Sequence, residues 1–180
     1  MSIINEKYFK EYSPIPLNFN MKELKNYIKV AQEIWVRPLI GSDLLDEIEE
    51  QVKNNTVSEE NATLLTDGGL WQYLSYSTCL EGLPFLWAHI SEVGVTKGKS
   101  DNSDSLDLKD MTYVSQHLRN QVEVLKDQLK KWLCEHNESF PLADVCACGC
   151  NSCCDHNAKL NRPNPEFLVY GTPRKNTNLK

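Results

Sequence analysis

The sequence has 180 residues, of which 41% are hydrophobic and 24% charged, with four tryptophans and a net charge of −6. This composition argues against a disordered or membrane-embedded chain, and no apolar run approaches the ~20 residues that span a bilayer. The first residues lack the basic start, apolar stretch and cleavage site of a secretion signal, which predicts folding in a reducing cytoplasm.

The negative charge is unevenly distributed along the chain. Residues 157–180 carry five basic residues against Glu166, a net charge of +4, which leaves −10 for residues 1–156. Tight nucleic-acid binding requires clustered Lys and Arg side chains that displace counterions from phosphates. The acidic body of the chain therefore argues against a nucleic-acid-binding domain.

The first part of the chain predicts an arm followed by two helices. Residues 1–19 contain two prolines and are predicted to form an irregular N-terminal arm. Helical spacing then predicts an amphipathic helix that Asn20 caps and that Pro38 and Gly41 stop. Ser42 is the predicted N-cap of a second amphipathic helix, so a sharp corner joins the two helices. The predicted buried residues around this corner are Leu24, Tyr27, Ile28, Ala31, Ile34, Trp35 and Leu45.

The middle of the chain predicts a buried central helix. Residues 55–69 are interpreted as a polar connector with at most a short helical turn. Residues 70–89 are apolar on most sides and predict a helix buried all round. Because Pro84 lacks a backbone N–H, this helix is expected to kink or be interrupted near Gly82. Residues 90–99 follow as a predicted hairpin arm or loop.

The longest predicted element is a helix from Leu108 to Asn137. The expected fold is therefore mainly α: a small helical bundle, formed by residues 20–141, that contains this one long helix. A helix of about 30 residues spans roughly 45 Å, more than a compact domain of this size needs. Its apolar stripe either packs within one subunit or partly contacts another subunit. The stripe consists of Met111, Leu118, Val122, Leu125, Leu129 and Trp132.

A cysteine-rich turn is predicted at residues 142–156. The candidate metal ligands in it are Cys146, Cys148, Cys150, Cys153, Cys154 and His156. Zinc prefers thiolate and imidazole ligands, and Cys150 and Cys153 have the spacing of a zinc knuckle. The second ligand pair of a common finger is missing, so three interpretations stay open: a structural zinc site, reduced thiols packed in a turn, or disulfides formed after release. No cofactor is expected, and a zinc ion held by four thiolates would be structural.

No catalytic signature is recognisable in the sequence. There is no HExxH, GxSxG, P-loop or GxGxxG motif. The acidic pairs at positions 46–47 and 49–50 are interpreted as a solvated helix face. We therefore expect no enzymatic activity.

The remaining residues, 157–180, predict an extended basic C-terminal arm. Its strand-capable residues Phe167, Leu168, Val169 and Tyr170 have no local partner in the sequence. Segments of this kind gain order by docking on another protein. We expect the arm to bind a partner, with Arg162, Arg174 and Lys175 contacting acidic surface.

The two helices around the corner resemble the opening signature of head–tail connector (adaptor) proteins of tailed bacteriophages, similar to those of crAss-like and other Bacteroidetes phages. The matching residues are Ala31, Gln32, Trp35, Pro38, Leu39, Ile40, Gly41, Leu44 and Leu45. The end of the long helix, with Asn137 and the Phe140–Pro141 step, is similar to the closing part of that family's domain. The resemblance covers about residues 16–141, and the cysteine cluster departs from it.

This resemblance implies a structural virion protein of the neck, assembled in the host cytoplasm into a homo-oligomeric ring of about twelve copies. Its implied partners are the portal protein and tail or further ring proteins. Genomic DNA would pass through the ring without specific binding, which an acidic channel wall favours. The alternatives are a zinc-knuckle-type regulatory or nucleic-acid-binding module and an accessory subunit of an enzyme.

Metal analysis separates the interpretations of the cysteine cluster. We expect freshly purified protein to contain no bound metal, because the second ligand pair of a common zinc site is missing. Inductively coupled plasma mass spectrometry measures this directly. About one zinc per chain, lost when Cys150 and Cys153 are both changed to serine, would instead establish a structural zinc site.

Overall fold

The computed structural model describes residues 1–16, 21–22, 24–91, 94–97 and 108–143. These residues form a mainly α-helical bundle with one long helix, which confirms the predicted fold class. The elements in chain order are α1 (Glu6–Tyr12), α2 (Lys25–Ala31), a π-helical turn (Gln32–Val36), α3 (Arg37–Ile40), α4 (Ser42–Asn54), α5 (Glu59–Thr66), α6 (Leu70–Trp87), β1 (Ala88–Ser91), β2 (Gly94–Lys97) and α7 (Leu108–Glu135).

Helix α6 is the centre of the bundle. It packs most extensively against α7 and α2, and also contacts α1 and α5. Its side chains are buried on several sides, as its apolar sequence predicts, including Leu70, Tyr73, Leu74 and Leu80. The helix continues past Pro84 to Trp87, so the predicted interruption is absent. Pro84 lies in the last turn, where its missing N–H removes a hydrogen bond at the end of the helix only.

Gly82 allows α2 to approach α6 closely. A Cβ atom added to Gly82 would collide with the Leu24 side chain and would lie 3.3 Å from Cδ2 of Tyr27. Both residues belong to the start of α2, and Leu24 is fully buried. The space that a side chain at position 82 would occupy is therefore filled by the side chains of Leu24 and Tyr27.

The N-terminal residues differ from the irregular arm that the sequence predicts. Asn5 caps α1 by accepting a hydrogen bond from the Tyr8 N–H at 3.0 Å. Ile3, Ile4 and Phe9 are buried in the hydrophobic core. A helix of seven residues is too short to show a clear periodic pattern, and the prolines follow it rather than interrupt it.

A single helical path runs from α2 through the π-helical turn into α3. The Arg37 N–H donates to the Gln32 carbonyl, which is the five-residue spacing of a π-helix. Pro38 lies in the first turn of α3, where a missing N–H is tolerated. Pro38 therefore does not stop the helix, in contrast to the prediction.

Gly41 makes the corner between α3 and α4. Its φ of 93° and ψ of 156° lie in a region that is essentially restricted to glycine. Gly41 also occupies the N-cap position of α4, and Ser42, the predicted cap, is the first helical residue. The predicted corner is confirmed, and its conformation depends on glycine. Asn20, the predicted cap of the preceding helix, lies outside the described residues.

Two shorter elements follow α4. The predicted polar connector contains the helix α5, and its N-cap Ser58 accepts a hydrogen bond from the Asn61 N–H at 3.2 Å. Leu64 and Leu65 anchor α5 in the core. After α6, β1 and β2 pair as an antiparallel hairpin, with Ala88 opposite Lys97. The hairpin is one of the two forms that the sequence predicts here.

The predicted apolar stripe of α7 packs within the chain. Met111, Leu118, Val122 and Leu129 are buried, and Leu125 and Trp132 are partly buried against the core. At 1.5 Å per residue the 28 residues of α7 span about 42 Å. Beyond the helix, Phe140 is 4% exposed, and its ring lies 5.5 Å from that of Trp132. This contact ties the end of α7 to the turn that follows.

Replacing Gly41 by alanine tests the conformation of the corner. We expect Gly41→Ala to lower the free energy of unfolding by about 1–3 kcal/mol, because alanine is strained at this φ and ψ. Urea denaturation followed by circular dichroism measures the change. The neighbouring Ser42→Ala is the control, expected to change stability by less than about 0.5 kcal/mol because Ser42 is exposed and α4 has no side-chain cap. Equal effects of the two substitutions would contradict the assigned corner.

Candidate assembly surfaces

The site residues predicted from the sequence lie outside the described residues. This holds for the metal-ligand candidates Cys146, Cys148, Cys150, Cys153, Cys154 and His156 and for the arm residues Arg162, Phe167, Leu168, Val169, Tyr170, Arg174 and Lys175. Within the described part of the chain, no group of three or more His, Cys, Asp or Glu side chains is arranged to hold a metal ion. Burial raises the pKa of the Cys79 thiol to about 12, so Cys79 behaves as an apolar core residue rather than a nucleophile.

Gln32 connects the π-helical turn to the N-terminal segment. Its side chain is almost fully buried at 1% exposure. Its Oε1 accepts a hydrogen bond from the Ile3 N–H at 3.1 Å, and its Nε2 donates to the Met1 carbonyl at 2.9 Å and to Oε1 of Glu49. Each polar atom of this buried amide is therefore satisfied, as burial requires. The amide holds the N-terminal segment against α4.

Two carboxylates of α4 have structural roles that the sequence interpretation missed. Glu49 accepts hydrogen bonds from Gln32 and from the Met1 ammonium group. Glu47 accepts hydrogen bonds from Asn61, at 2.9 Å, and from Gln51, at 2.8 Å. A charged residue on an amphipathic helix gives no sequence signal of the three partners other than Gln51, because they lie 14 or more residues away along the chain.

Arg37 fixes the outer side of the corner. Its guanidinium donates to Glu33 in the π-helical turn and to Asp46 in α4, the latter at 2.9 Å. The hydrogen bond from Arg37 holds the pKa of Glu33 below its ordinary value, and these carboxylates raise the pKa of Arg37. Because both carboxylates are exposed and Arg37 is partly exposed, the ion pairs orient the corner more than they stabilise it.

An exposed apolar stripe runs along α2 and the π-helical turn. We call it the α2 stripe; it consists of the exposed Val30 and Ile34 and the partly buried Tyr27, together with the exposed Phe85 of α6. Ile34 is 55% exposed, Phe85 48% and Val30 40%. Tyr27 stacks on Phe85, with ring centroids 5.4 Å apart. The spacing along the helix places the first three residues on one side, so these apolar side chains are neighbours on the surface.

The exposure of Ile34 contradicts its predicted burial, and the π-helical turn explains it. A π-helical turn contains one residue more than an α-helical turn, so the core-facing positions after it move one residue later. Val36 and Ile40 are accordingly fully buried, whereas Trp35 is only partly buried and donates through Nε1 to Glu81 at 2.9 Å. Leu45 is buried as predicted.

Three further exposed apolar side chains lie on α7. We call this set the α7 stripe; it consists of Tyr113, Val114 and Val124, which are 76%, 36% and 51% exposed. Tyr113 and Val124 are separated by about three helical turns, so they lie on the same side of α7. The core-facing residues of the helix, including Val122, lie on the opposite side.

The two stripes belong to two different helices. Helices α2 and α7 each pack extensively on α6 but make few contacts with each other. They therefore pack on different parts of the α6 surface. No helix within the described ranges has the length and apolar character needed to cross a membrane.

The fold defines the molecule as a small, mainly α-helical protein with exposed apolar side chains outside its core. The chain matches the protein family described as "Family of unknown function (DUF6712)" over residues 36–153, and it belongs to this family. The match begins at the last residue of the π-helical turn and includes all of α3 to α7. Neither the curated proteins nor the solved structures give a match.

Removing the Gln32 side chain tests its connection to the N-terminal segment. We expect Gln32→Ala to cost about 1–3 kcal/mol of stability, because the Ile3 N–H loses its partner while it remains buried. Native-state hydrogen exchange should also show faster exchange at Ile3. Gln116→Ala is the control: its side chain donates to Asn120 on an exposed surface, so we expect a change below about 0.5 kcal/mol. Unchanged exchange at Ile3 in Gln32→Ala would show that Gln32 does not hold this segment.

Proposed function

We propose that this protein is a structural virion protein that forms a ring at the portal vertex, joins the phage head to the tail and continues the DNA channel. The ring consists of about twelve copies, by the resemblance to head–tail connector proteins. It lies in the virion neck, between the portal protein and tail or further ring proteins. The observation that carries the proposal is the pair of exposed apolar stripes on two separate helices, α2 and α7, that each pack against α6.

A closed ring needs two different surfaces on each subunit. In a head-to-tail ring, one surface of each subunit contacts a different surface of the next, and the rotation closes the assembly. The α2 stripe and the α7 stripe supply two separate apolar surfaces on one chain. A symmetric dimer would need only one self-complementary surface, so a pair of surfaces favours a ring.

The residues of the connector-like signature have structural roles that fit this proposal. Gln32 connects the N-terminal segment to the corner, and Gly41 has the backbone conformation that turns the chain into α4. The π-helical turn between them directs Ile34 outward into the α2 stripe. The signature therefore belongs to the part of the fold that presents one of the two proposed ring contacts.

The charge of the molecule also fits a channel wall. Residues 1–156 carry a net charge of −10, and α4 and α5 contribute the exposed carboxylates of Asp43, Glu50, Glu59 and Glu60. Like charge prevents the phosphate backbone of DNA from adhering to the wall as it passes. This electrostatic argument supports a conduit rather than a DNA-binding site.

The ring proposal is tested by changing one residue in each stripe to glutamate. We expect Ile34→Glu and Val124→Glu each to block assembly on the cognate portal, because each variant lacks one of the two contacts. In an equimolar mixture, the intact α7 stripe of the first variant contacts the intact α2 stripe of the second. Analytical ultracentrifugation should then show a species of twice the 20.6 kDa chain mass that neither variant forms alone.

Leu142→Glu is the matched control for this experiment. It introduces the same charge at an exposed apolar residue, 44% accessible, that belongs to neither stripe. It should assemble like the unmodified chain, and circular dichroism should show all variants folded. Normal assembly of Ile34→Glu or Val124→Glu, or a mixture that gives no heterodimer, would contradict the head-to-tail contact.

A further inference from the structure

A large groove lies between the N-terminal segment, α2, the end of α4 and α5. Its volume is about 1400 Å³, above the ~300–1,000 Å³ of sites that hold a single small molecule. The apolar residues that line it include Ile4, Ile28, Val52, Val57, Leu65 and Trp71. Its size and lining are suited to a peptide segment rather than to a metabolite.

One wall of the groove is aromatic and fixed. Trp71 donates through Nε1 to the Ile3 carbonyl at 3.0 Å, and the Tyr8 ring stacks on it with centroids 4.1 Å apart. Both aromatic residues line the groove. Side chains held in this way lose little conformational freedom when a partner binds, which favours affinity.

The edge formed by α2 is basic. Lys25 and Lys29 lie four residues apart on the same side of α2, line the groove and are exposed. Within the described part of the chain neither forms an ion pair, whereas Glu6, which also lines the groove, pairs with Lys10 at 2.8 Å. Two exposed lysines beside an apolar groove are unexpected in a body that carries a net charge of −10 over residues 1–156.

We propose that this groove binds an acidic amphipathic helix of a partner protein. The apolar residues of the helix would contact the floor of the groove and the Tyr8–Trp71 wall, and its carboxylates would contact Lys25 and Lys29. The apolar lining favours a peptide over a nucleic acid, which would need more positive charge along a phosphate track. The groove is formed by surfaces other than the two stripes, so the inference does not rest on ring formation.

The test uses the full chain and a fluorescein-labelled helical peptide of about 18 residues, or about five turns, with leucine on one face and glutamate on the others. Fluorescence polarisation should show saturable binding that weakens as salt is added. The Lys25→Glu/Lys29→Glu variant should bind at least about tenfold more weakly. Lys25→Gln/Lys29→Gln, which removes the charges without reversing them, should show a smaller loss in the same direction.

Lys109→Glu/Lys131→Glu is the matched control, because it reverses two exposed charges on α7 away from the groove. Its affinity should stay within about twofold of that of the unmodified chain, and circular dichroism should show every variant folded. Three results would overturn the proposal: no binding of the acidic peptide, equal binding of the same peptide with lysine in place of glutamate, or no effect of the groove variants. Binding of a single-stranded DNA of about 20 nucleotides that only the groove variants lose would assign the groove to nucleic acid instead.

Discussion

The π-helical turn at Gln32–Val36 determines which side of the surrounding chain faces the core. The extra residue of this turn points the Gln32 amide inward and Ile34 outward, and it brings Val36 and Ile40 into the core. Pro38 follows the turn and lacks a backbone N–H. The π-helical hydrogen-bond pattern therefore ends next to a residue that has no N–H to donate. Gly41 then reverses the chain into α4. The corner thus depends on three backbone features within ten residues.

Buried polar side chains fix how the other helices are placed around this corner. Gln32 attaches the N-terminal segment and Glu49 of α4, while Asn61 attaches α5 to Glu47 and Gln51 of α4. A buried amide is costly unless all its hydrogen bonds are made, so each of these groups favours one arrangement of its neighbours. Apolar contacts with α6 supply the burial, and the amides specify the arrangement.

The sequence predicted the elements that have a signal over many residues or a strong chain-turning residue, and missed the short ones. The amphipathic helices and the long α7 have periodic patterns, the buried α6 is a long apolar run, and the corner contains Gly41. Helix α1 has seven residues and α5 has eight, too few for a clear pattern. The outward direction of Ile34 was missed because helical spacing assumes 3.6 residues per turn, and a π-helical turn has more. The two stripes follow from tertiary packing, which decides which face of α2 and α7 meets α6.

The central claim is that many copies of this protein assemble on the portal as one ring. Native mass spectrometry of the full chain incubated with cognate portal particles measures the copy number directly. The account predicts a complex that contains about twelve copies of the 20.6 kDa chain for each portal ring. A portal that binds one copy, or none, would contradict the proposal that this protein is a head–tail connector.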